Sequence, residues 1–241
     1  MKAIVVGGGI GGLSLALSLH QIGFEPHVFD SAPVFQFLGL GINVQPHAVR
    51  ELTELGLGEQ LAASSVATAA LAYFNKHGQL IWSEPRGLAA GYKWPQHSVS
   101  RGELQRLLLD AAQTRLGADR IHTGHHLATF AARDDGVVAR FVDRTTGREV
   151  AEVDGDFLVG ADGIHSAVRH AFSPAENLHY EGVINYRGVT AGGAISERRN
   201  HGHRRPSRSA FRRLPDQAAS GRPLPYQLDL RRAHQRPDDA A

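Results

Sequence analysis

A glycine-rich turn near the start of the chain limits most strongly which fold the sequence can adopt. The β-branched run Lys2–Val6 predicts a short buried strand. Residues 13–22 are apolar around most of a helical circumference, so they predict a helix that is buried against a sheet and ends at Gly23. Between these two segments lie three glycines at G-x-G-x-x-G spacing: Gly7, Gly9 and Gly12.

The order of these elements favours a dinucleotide-binding βαβ unit. Gly7 allows a tight turn, Gly9 allows a pyrophosphate to approach the backbone, and Gly12 allows the helix to pack closely on the strand. A second strand is expected at 26–29 and ends at Asp30, 18 positions after Gly12. This is close to the spacing of about 20 that is typical of an acid that binds ribose hydroxyls. A purely structural turn is the alternative, and the motif by itself does not distinguish FAD from NAD.

The composition narrows the class of protein. At 241 residues, the chain is long enough for one large or two modest domains. It contains no cysteine, which excludes disulfides, thiolate nucleophiles and cysteine-bound metals and fits a cytoplasmic location. The apolar start resembles a signal peptide, but its five glycines fit a strand, turn and helix better. No other apolar run is long enough to span a bilayer, so we expect neither a membrane segment nor a membrane partner.

Residues 191–241 differ in composition from the rest of the chain. They contain 11 arginines against five acidic residues, whereas the whole chain carries a net charge of only +2. Because they hold five prolines and no valine, little apolar area offsets the entropy of ordering, and we expect a disordered or poorly packed basic tail. Its charge could attract nucleic acid or an anionic membrane. It holds only two aromatic residues, however, which argues against specific nucleic-acid binding.

The middle of the chain contains both helix and strand signals. Pro46 is expected to open an amphipathic helix, and residues 71–75 and 79–82 are expected to form a hairpin. Residues 100–103, Ser-Arg-Gly-Glu, form a capping-box pattern that predicts a helix extending to about residue 116.

From residue 121 onward the hydrophobic period changes to two, which is typical of β-strands. Residues 157–160 are continuously apolar and predict a strand that is buried on both faces. Asp162 and Gly163 follow this strand at its carboxyl end, where open α/β sheets bind ligands. Before it, three strands of an antiparallel meander are expected at 128–132, 137–143 and 148–153.

Several segments together resemble one known family. They are the glycine motif of residues 7–12, Asp30, the segment 100–104 and the segment 160–169, Gly-Ala-Asp-Gly-Ile-His-Ser-Ala-Val-Arg. Jointly they are similar to the single-component FAD-dependent aromatic hydroxylases. Further segments are similar to the members of that family that act in phenazine biosynthesis, and the similarity as a whole covers residues 1–190. These further segments are 39–46, 82–87 and 186–190.

The resemblance implies a fold, a reaction and a set of cofactor contacts. The expected fold is α/β, with a Rossmann-like FAD-binding domain at 1–190 that is interleaved with an incomplete β-sheet substrate domain at about 66–100 and 180–190. The expected reaction is hydroxylation of a small aromatic, carboxylate-type substrate, with FAD as cofactor, NADH or NADPH as electron donor, and O2. The implied FAD-binding residues are Gly7, Gly9, Ile10, Gly11, Gly12, Asp30, Gly41, Val44, Arg101, Leu127, Asp162 and Gly163.

Some of these residues have specific implied roles. Arg101 is expected to bring positive charge to the FAD diphosphate, and Leu127 is expected to lie by the adenine. Asp162 and Gly163 match a motif that the family associates with both FAD and the nicotinamide donor. Arg101 could instead be a solvated helix residue, and the Asp162 segment could be only a turn. The histidines are expected to be surface or packing residues, and no catalytic acid, base or metal ligand is proposed.

Members of the family continue beyond the region of similarity through a third motif, of Gly-Asp-Ala-Ala-His type, and a helical segment. Because the similarity stops after Thr190, the sequence predicts a truncated or frame-shifted chain with impaired hydroxylase activity. The alternative is an FAD- or NAD-binding remnant, or an interaction protein, without turnover. The sequence does not indicate the oligomeric state.

Overall fold

The computed structural model describes residues 1–75, 77–176 and 178–192 and three later strands, with side chains described as far as residue 182. The chain divides into two compact units, and two separate stretches of sequence build each of them. The first unit consists of Met1–Phe37 and Leu104–Asn177, and the second of Leu38–Glu103 and Leu178–Ala241. That the second unit binds the substrate stays a prediction.

The secondary structure is mixed α/β. The strands, in chain order, are β1 (Lys2–Val6), β2 (Glu25–Phe29), β3 (Gly41–Val44), β4 (Ser65–Thr68), β5 (Ala70–Asn75), β6 (Leu80–Pro85), β7 (Gln96–Ser100), β8 (Ile121–His122), β9 (His126–Arg133), β10 (Gly136–Val142), β11 (Glu149–Gly155), β12 (Phe157–Gly160), β13 (Val183–Gly192), β14 (Asn200–Arg205), β15 (Ala210–Arg213) and β16 (Leu224–Ala233). The helices are α1 (Ile10–Gln21), α2 (Pro46–Glu54), α3 (Gly58–Ala63), α4 (Arg101–Leu116) and α5 (Ala167–Phe172), with short 3-10 turns at Gly87–Ala90 and Ala118–Arg120.

A four-stranded parallel sheet with the order β12-β1-β2-β8 forms the centre of the first unit. Helix α1 connects β1 to β2, so the predicted βαβ unit is confirmed. Gly23 follows the helix with φ of +88°, as expected for a left-handed end. Leu13 and Leu17 are buried, but Ile22 is 69% exposed. The expected burial of the helix against a sheet is confirmed for the face that carries Leu13 and Leu17, whereas the apolar residue Ile22 on another face is exposed.

The antiparallel meander β9-β10-β11 completes the first unit and confirms the predicted pattern of strands. Phe141 is fully buried and belongs to a hydrophobic cluster with Phe29 and Leu127. The strand β12 was expected to be buried on both faces. Instead, it lies at the edge of the parallel sheet, its first three residues are half-buried, and Gly160 is exposed.

The second unit contains three small sheets, in the orders β3-β7-β4, β14-β5-β6 and β13-β16-β15. Pro46 is the first residue of α2, as predicted. The hairpin of β5 and β6 is confirmed by their antiparallel pairing, although Lys76 of its turn lies outside the described residues. The helix α4 begins at Arg101 and ends at Leu116, which confirms the bounds expected from the capping pattern. None of the helices in the described part of the chain is long and apolar enough to cross a membrane.

Strands β14, β15 and β16 lie in the segment that the composition predicts to be poorly ordered. The strand β16 pairs with β13 and β15, and β14 pairs with β5. These strands differ from the expectation of disorder, because strand pairing uses backbone groups that every non-proline residue carries. The alternative expectation, that the segment is poorly packed, stays a prediction. The rest of the expected tail lies outside the described residues.

Candidate dinucleotide-binding site

The turn that follows β1 is shaped by close contacts between backbone atoms. Gly7 has φ of +107°, and a Cβ atom on it would lie 2.3 Å from the carbonyl oxygen of Ala161. The Gly7 amide donates to Phe29 O at 2.7 Å, and the Ala161 amide donates to Val6 O at 2.7 Å. The turn thereby joins the carboxyl ends of β1, β2 and β12, and its predicted need for glycine is confirmed.

Two glycines of this turn face open space. A Cβ atom on Gly9 or Gly11 would have no described atom within 4 Å, apart from chain neighbours and the backbone of α1. Gly9 precedes α1 with φ of −75° and without a side-chain cap. The first amide of the helix to donate within it is that of Leu13, to Gly9 O at 3.0 Å. The preceding helical amides are therefore available to an anion, as expected at a helix start.

Gly12 is constrained by helix packing. A Cβ atom on it would lie 1.8 Å from Gly7 O and 3.4 Å from the Ala161 side chain. The predicted close approach of α1 to the turn is confirmed, and it brings the helix start directly over the end of β1.

Gly8, which occupies a variable position of the motif, is held from three sides. Its amide donates to Asp30 Oδ2 at 2.7 Å, and its carbonyl accepts from Gln105 Nε2 at 3.1 Å. A Cβ atom on Gly8 would lie 2.5 Å from the ring of Phe35. The contacts of Gln105 and Phe35 with Gly8 were not predicted from the sequence. The available signal was the glycine at position 8, where the motif itself does not require one.

Asp30 lies where the sequence places it, at the end of β2, and its carboxylate is fixed by the backbone. Asp30 Oδ1 accepts from the Ala32 amide at 2.8 Å, in addition to the bond from Gly8. The Asp30 amide donates to His122 O, and the His125 amide donates to Asp30 O, both at 2.8 Å. A carboxylate offers about four acceptor positions, so Asp30 retains capacity for ribose hydroxyls.

Three histidines, His27, His122 and His125, form a ring cluster with Phe29, the residue that precedes Asp30. His122 stacks on Phe29 with ring centroids 4.5 Å apart and on His27 at 5.7 Å, while His125 packs against Phe29 at 5.7 Å. Burial lowers the pKa of His27 below its ordinary value, and the charges of Lys2 and Arg120 lower it further. Burial also lowers the pKa of His122, with added effects of His125 and His27. Within the described residues, no group of three acidic or histidine side chains could hold a metal ion.

Asp162 binds the start of the helix α5, whose N-cap residue is Ser166. Its Oδ1 accepts from Ser166 Oγ at 2.6 Å, and its Oδ2 accepts from the Ala167 amide at 2.7 Å. Gly160 allows α5 to lie close to β12, because a Cβ atom there would be 2.6 Å from Val168 Cβ. Gly163 has φ of +82° and faces open space. The described hydrogen bonds of Asp162 therefore stabilise the start of α5, and its role in cofactor binding stays a prediction.

Of the remaining predicted contacts, Leu127 lies in the first unit, and Gly41, Val44 and Arg101 lie in the second. Leu127 is 4% exposed and packs in the hydrophobic cluster with Phe141. In the second unit, Gly41 and Val44 are buried at the two ends of β3. Arg101 is exposed in the first turn of α4, and its amide donates to Leu40 O at 3.0 Å. Their predicted contacts with FAD stay predictions.

The fold and the turn define an α/β dinucleotide-binding protein, because a βαβ unit, an open glycine turn and an oriented acid occur together. The chain belongs to the family described as "FAD binding domain", whose model matches residues 1–189. Membership in this family identifies FAD as the dinucleotide, and the open turn fits its diphosphate.

Curated and solved relatives agree with this assignment. Phenazine 1,6-dicarboxylic acid hydroxylase PhzS of Lysobacter antibioticus is 46% identical over 172 residues, which are 71% of this chain and 42% of that protein. The FAD-dependent urate hydroxylase of Klebsiella pneumoniae is 32% identical over 194 residues, 78% of this chain and 47% of that protein. The structure of Klebsiella pneumoniae HpxO complexed with FAD and uric acid is 27% identical, with a TM-score of 0.79, over 98% of this chain and 57% of that chain.

These similarities confirm the predicted relationship to the FAD-dependent aromatic hydroxylases. The relatives are flavoprotein hydroxylases and monooxygenases. The chain spans about half the length of the curated relatives it matches.

Proposed function

We propose that this chain binds FAD through the glycine turn. The bound FAD functions in a monooxygenase reaction that hydroxylates a small aromatic or heteroaromatic substrate with NADH or NADPH and O2. The observation that carries the proposal is the open space at Gly9 and Gly11 beside an oriented acid. This open turn lets phosphate oxygens approach backbone amides that donate no hydrogen bond to the described residues. The names of the relatives, which act on phenazine dicarboxylate and urate, support a planar heteroaromatic substrate.

In this proposal, the protein binds and orients the cofactor. The amides of Ile10, Gly11 and Gly12 bind the diphosphate, and the remaining acceptor positions of Asp30 bind ribose hydroxyls. Arg101 adds positive charge at the diphosphate. The chemistry supplied by bound FAD is two-electron reduction by the nicotinamide and activation of O2.

The other implied contacts belong to the same proposal. Leu127 lies by the adenine, while Asp162 and Gly163 serve FAD and the nicotinamide donor. Gly41 and Val44 are further proposed FAD contacts.

The variant Gly9→Thr tests the open turn with little effect on folding. Gly9 has φ of −75°, which threonine adopts, and its Cβ position faces open space. Threonine and glycine are about equal as residues preceding a helix, so the free energy of unfolding should change little. The side chain would occupy the space of the phosphate, and we expect FAD affinity to fall by at least about tenfold, or ~1.4 kcal/mol.

The measurement is a titration with FAD, followed by quenching of flavin fluorescence, together with a thermal melt. The variant Ala131→Thr, at an exposed position of β9, controls for the added side chain. Equal FAD affinity of the wild type and Gly9→Thr would contradict the proposed site. Absence of FAD binding by the wild type would contradict the proposal as a whole.

A second measurement separates turnover from binding. NADH oxidation that rises on addition of an aromatic carboxylate would support the monooxygenase. Binding of FAD without any such oxidation would favour the alternative, a dinucleotide-binding protein without turnover. The structure supports this alternative in one respect: the turn, Asp30 and Gln105 all lie within the first unit, so the proposed diphosphate contacts of the turn belong to a single unit.

A further inference from the structure

Gln105, on helix α4, reaches the glycine turn of residues 7–12 and binds the peptide that precedes the phosphate-facing amides. Its Nε2 donates to Gly8 O at 3.1 Å, and the residue is half-buried. We propose that Gln105 is a positioning residue that fixes the Gly8–Gly9 peptide so that the turn is preorganised for a diphosphate. The inference rests on the proposed FAD-binding function.

The planarity of the peptide bond explains how a contact on one side can act on the other. The carbonyl of Gly8 and the amide of Gly9 belong to one rigid trans peptide, so the N–H points away from the C=O. When Gln105 holds the Gly8 carbonyl, it therefore also fixes the direction of the Gly9 N–H, which points away from Gln105. A change of Gln105 would act on the ligand through this peptide, without direct contact.

The local sequence makes such a restraint necessary. Residues 7–9 are three consecutive glycines, and glycine has more backbone freedom than any other residue. The amide of Gly8 is held by Asp30 Oδ2, and a Cβ atom on Gly8 would lie 2.5 Å from the Phe35 ring. Neither contact fixes the peptide between Gly8 and Gly9. Gln105 contacts this peptide from a helix, and a rigid helix positions a donor more accurately than a loop. Preorganisation of this kind raises affinity by lowering the entropy lost on binding.

The chemistry of the side chain matters as well as its reach. An uncharged amide can donate to a carbonyl, whereas an ionised carboxylate can only accept. The variant Gln105→Glu would place an acceptor against an acceptor at neutral pH. A protonated glutamic acid would again donate to Gly8 O, so the variant should regain function on acidification.

Three variants test the proposal: Gln105→Leu, Gln105→Glu and, as a matched control, Gln113→Leu. Gln113 lies on the same helix and is exposed. Affinities for FAD and for ADP are measured by titration calorimetry over a range of pH. Since one hydrogen bond contributes about 0.5–1.5 kcal/mol, we expect Gln105→Leu and Gln105→Glu to bind both ligands roughly twofold to tenfold more weakly at neutral pH.

The pH profile distinguishes a hydrogen bond from general packing. The deficit of Gln105→Glu relative to the wild type should shrink as pH falls, while that of Gln105→Leu should stay constant. Asp30 accepts from the Gly8 amide and is present in all variants, so affinities are compared with those of the wild type at each pH. Amide hydrogen exchange of residues 7–12 without ligand should become faster in both Gln105 variants, with melting temperatures close to that of Gln113→Leu.

The outcomes separate this inference from the proposed function. If the wild type binds FAD and the Gln105 variants bind equally well, the positioning role is wrong and the proposed function stands. A deficit in Gln105→Glu that does not change with pH would also overturn the role. If the wild type binds neither FAD nor ADP, the proposed function is wrong. Independently of ligand binding, unchanged hydrogen exchange of residues 7–12 in the Gln105 variants would overturn the positioning role.

Discussion

Adding one methyl group at two adjacent glycines of the turn should have opposite effects on stability. A Cβ atom on Gly12 would lie 1.8 Å from Gly7 O, about 1.6 Å short of the 3.4 Å at which ordinary contact begins. A Cβ atom on Gly11 would meet no described atom within 4 Å outside the helix itself. The variants Gly12→Ala and Gly11→Ala therefore differ only in where the same group is placed.

The expected magnitudes follow from this geometry. In Gly12→Ala, α1 must move away from the turn by roughly the rise of one residue, ~1.5 Å, which disturbs the packing of its buried face. Overpacked sites cost about 1–3 kcal/mol, and we expect the upper end because the obstacle is backbone. Gly11→Ala should instead stabilise α1 by roughly 0.5–1 kcal/mol. The two variants should differ by about 4 kcal/mol, or roughly 8–16 °C in melting temperature.

Thermal and denaturant unfolding, followed by circular dichroism, measure this difference. Similar melting temperatures for the two variants would refute the inferred close approach of α1 to the turn. An FAD titration adds a second readout. Gly11→Ala should fold well and still bind FAD more weakly, because its methyl group points into the space assigned to the phosphate.

Two further predictions concern the surroundings of the turn. Asp162→Ala removes the acceptor for Ser166 Oγ and for the start of α5, and should lower stability by about 1 kcal/mol, measured by thermal melts with Asp162→Asn as partial rescue. Stability should also fall on acidification below pH 6.5, because the lowered pKa values of His27 and His122 mean that the unfolded chain takes up protons first. The contribution of the two neutral histidines to the free energy of unfolding is fully present above pH 6.5 and is lost as the pH falls through their lowered pKa values in the folded state. Replacing both histidines with glutamine should flatten the pH dependence of unfolding, and an unchanged slope would contradict the assignment.

The sequence predicted those parts of the site that local chemistry determines. A β-branched run, a glycine turn, an apolar stretch and a terminal acid specify β1, α1, β2 and Asp30 almost residue by residue. Each of these signals lies within the segment it describes. The positive φ of Gly7 and the close approach at Gly12 follow from the same local rule, since no other residue fits such positions.

Long-range features could not be predicted in the same way. The apolar run Phe157–Gly160 indicates a strand but contains no information about its place in the sheet, so its edge position was missed. The contact of Gln105 with Gly8 joins residues 97 positions apart. A glutamine on a helix has no sequence signal that separates such a contact from solvent exposure. The side-chain partners of Asp162 were likewise invisible, because a helix cap and a ligand contact use the same residue type.

The glycines of the turn fall into two groups that the motif does not separate. Gly7, Gly8 and Gly12 meet protein atoms at their Cβ positions, so the fold excludes side chains there. Gly9 and Gly11 meet none within the described part of the chain, apart from chain neighbours and the backbone of α1, so the described fold gives no reason for glycine at either position. Glycine in a helix is destabilising relative to alanine by roughly 0.5–1 kcal/mol, and Gly11 carries this cost without any packing contact that requires it. A ligand that approaches the backbone closely accounts for both open positions at once, which is why these two residues, rather than the motif as a whole, are the informative sites for testing FAD binding.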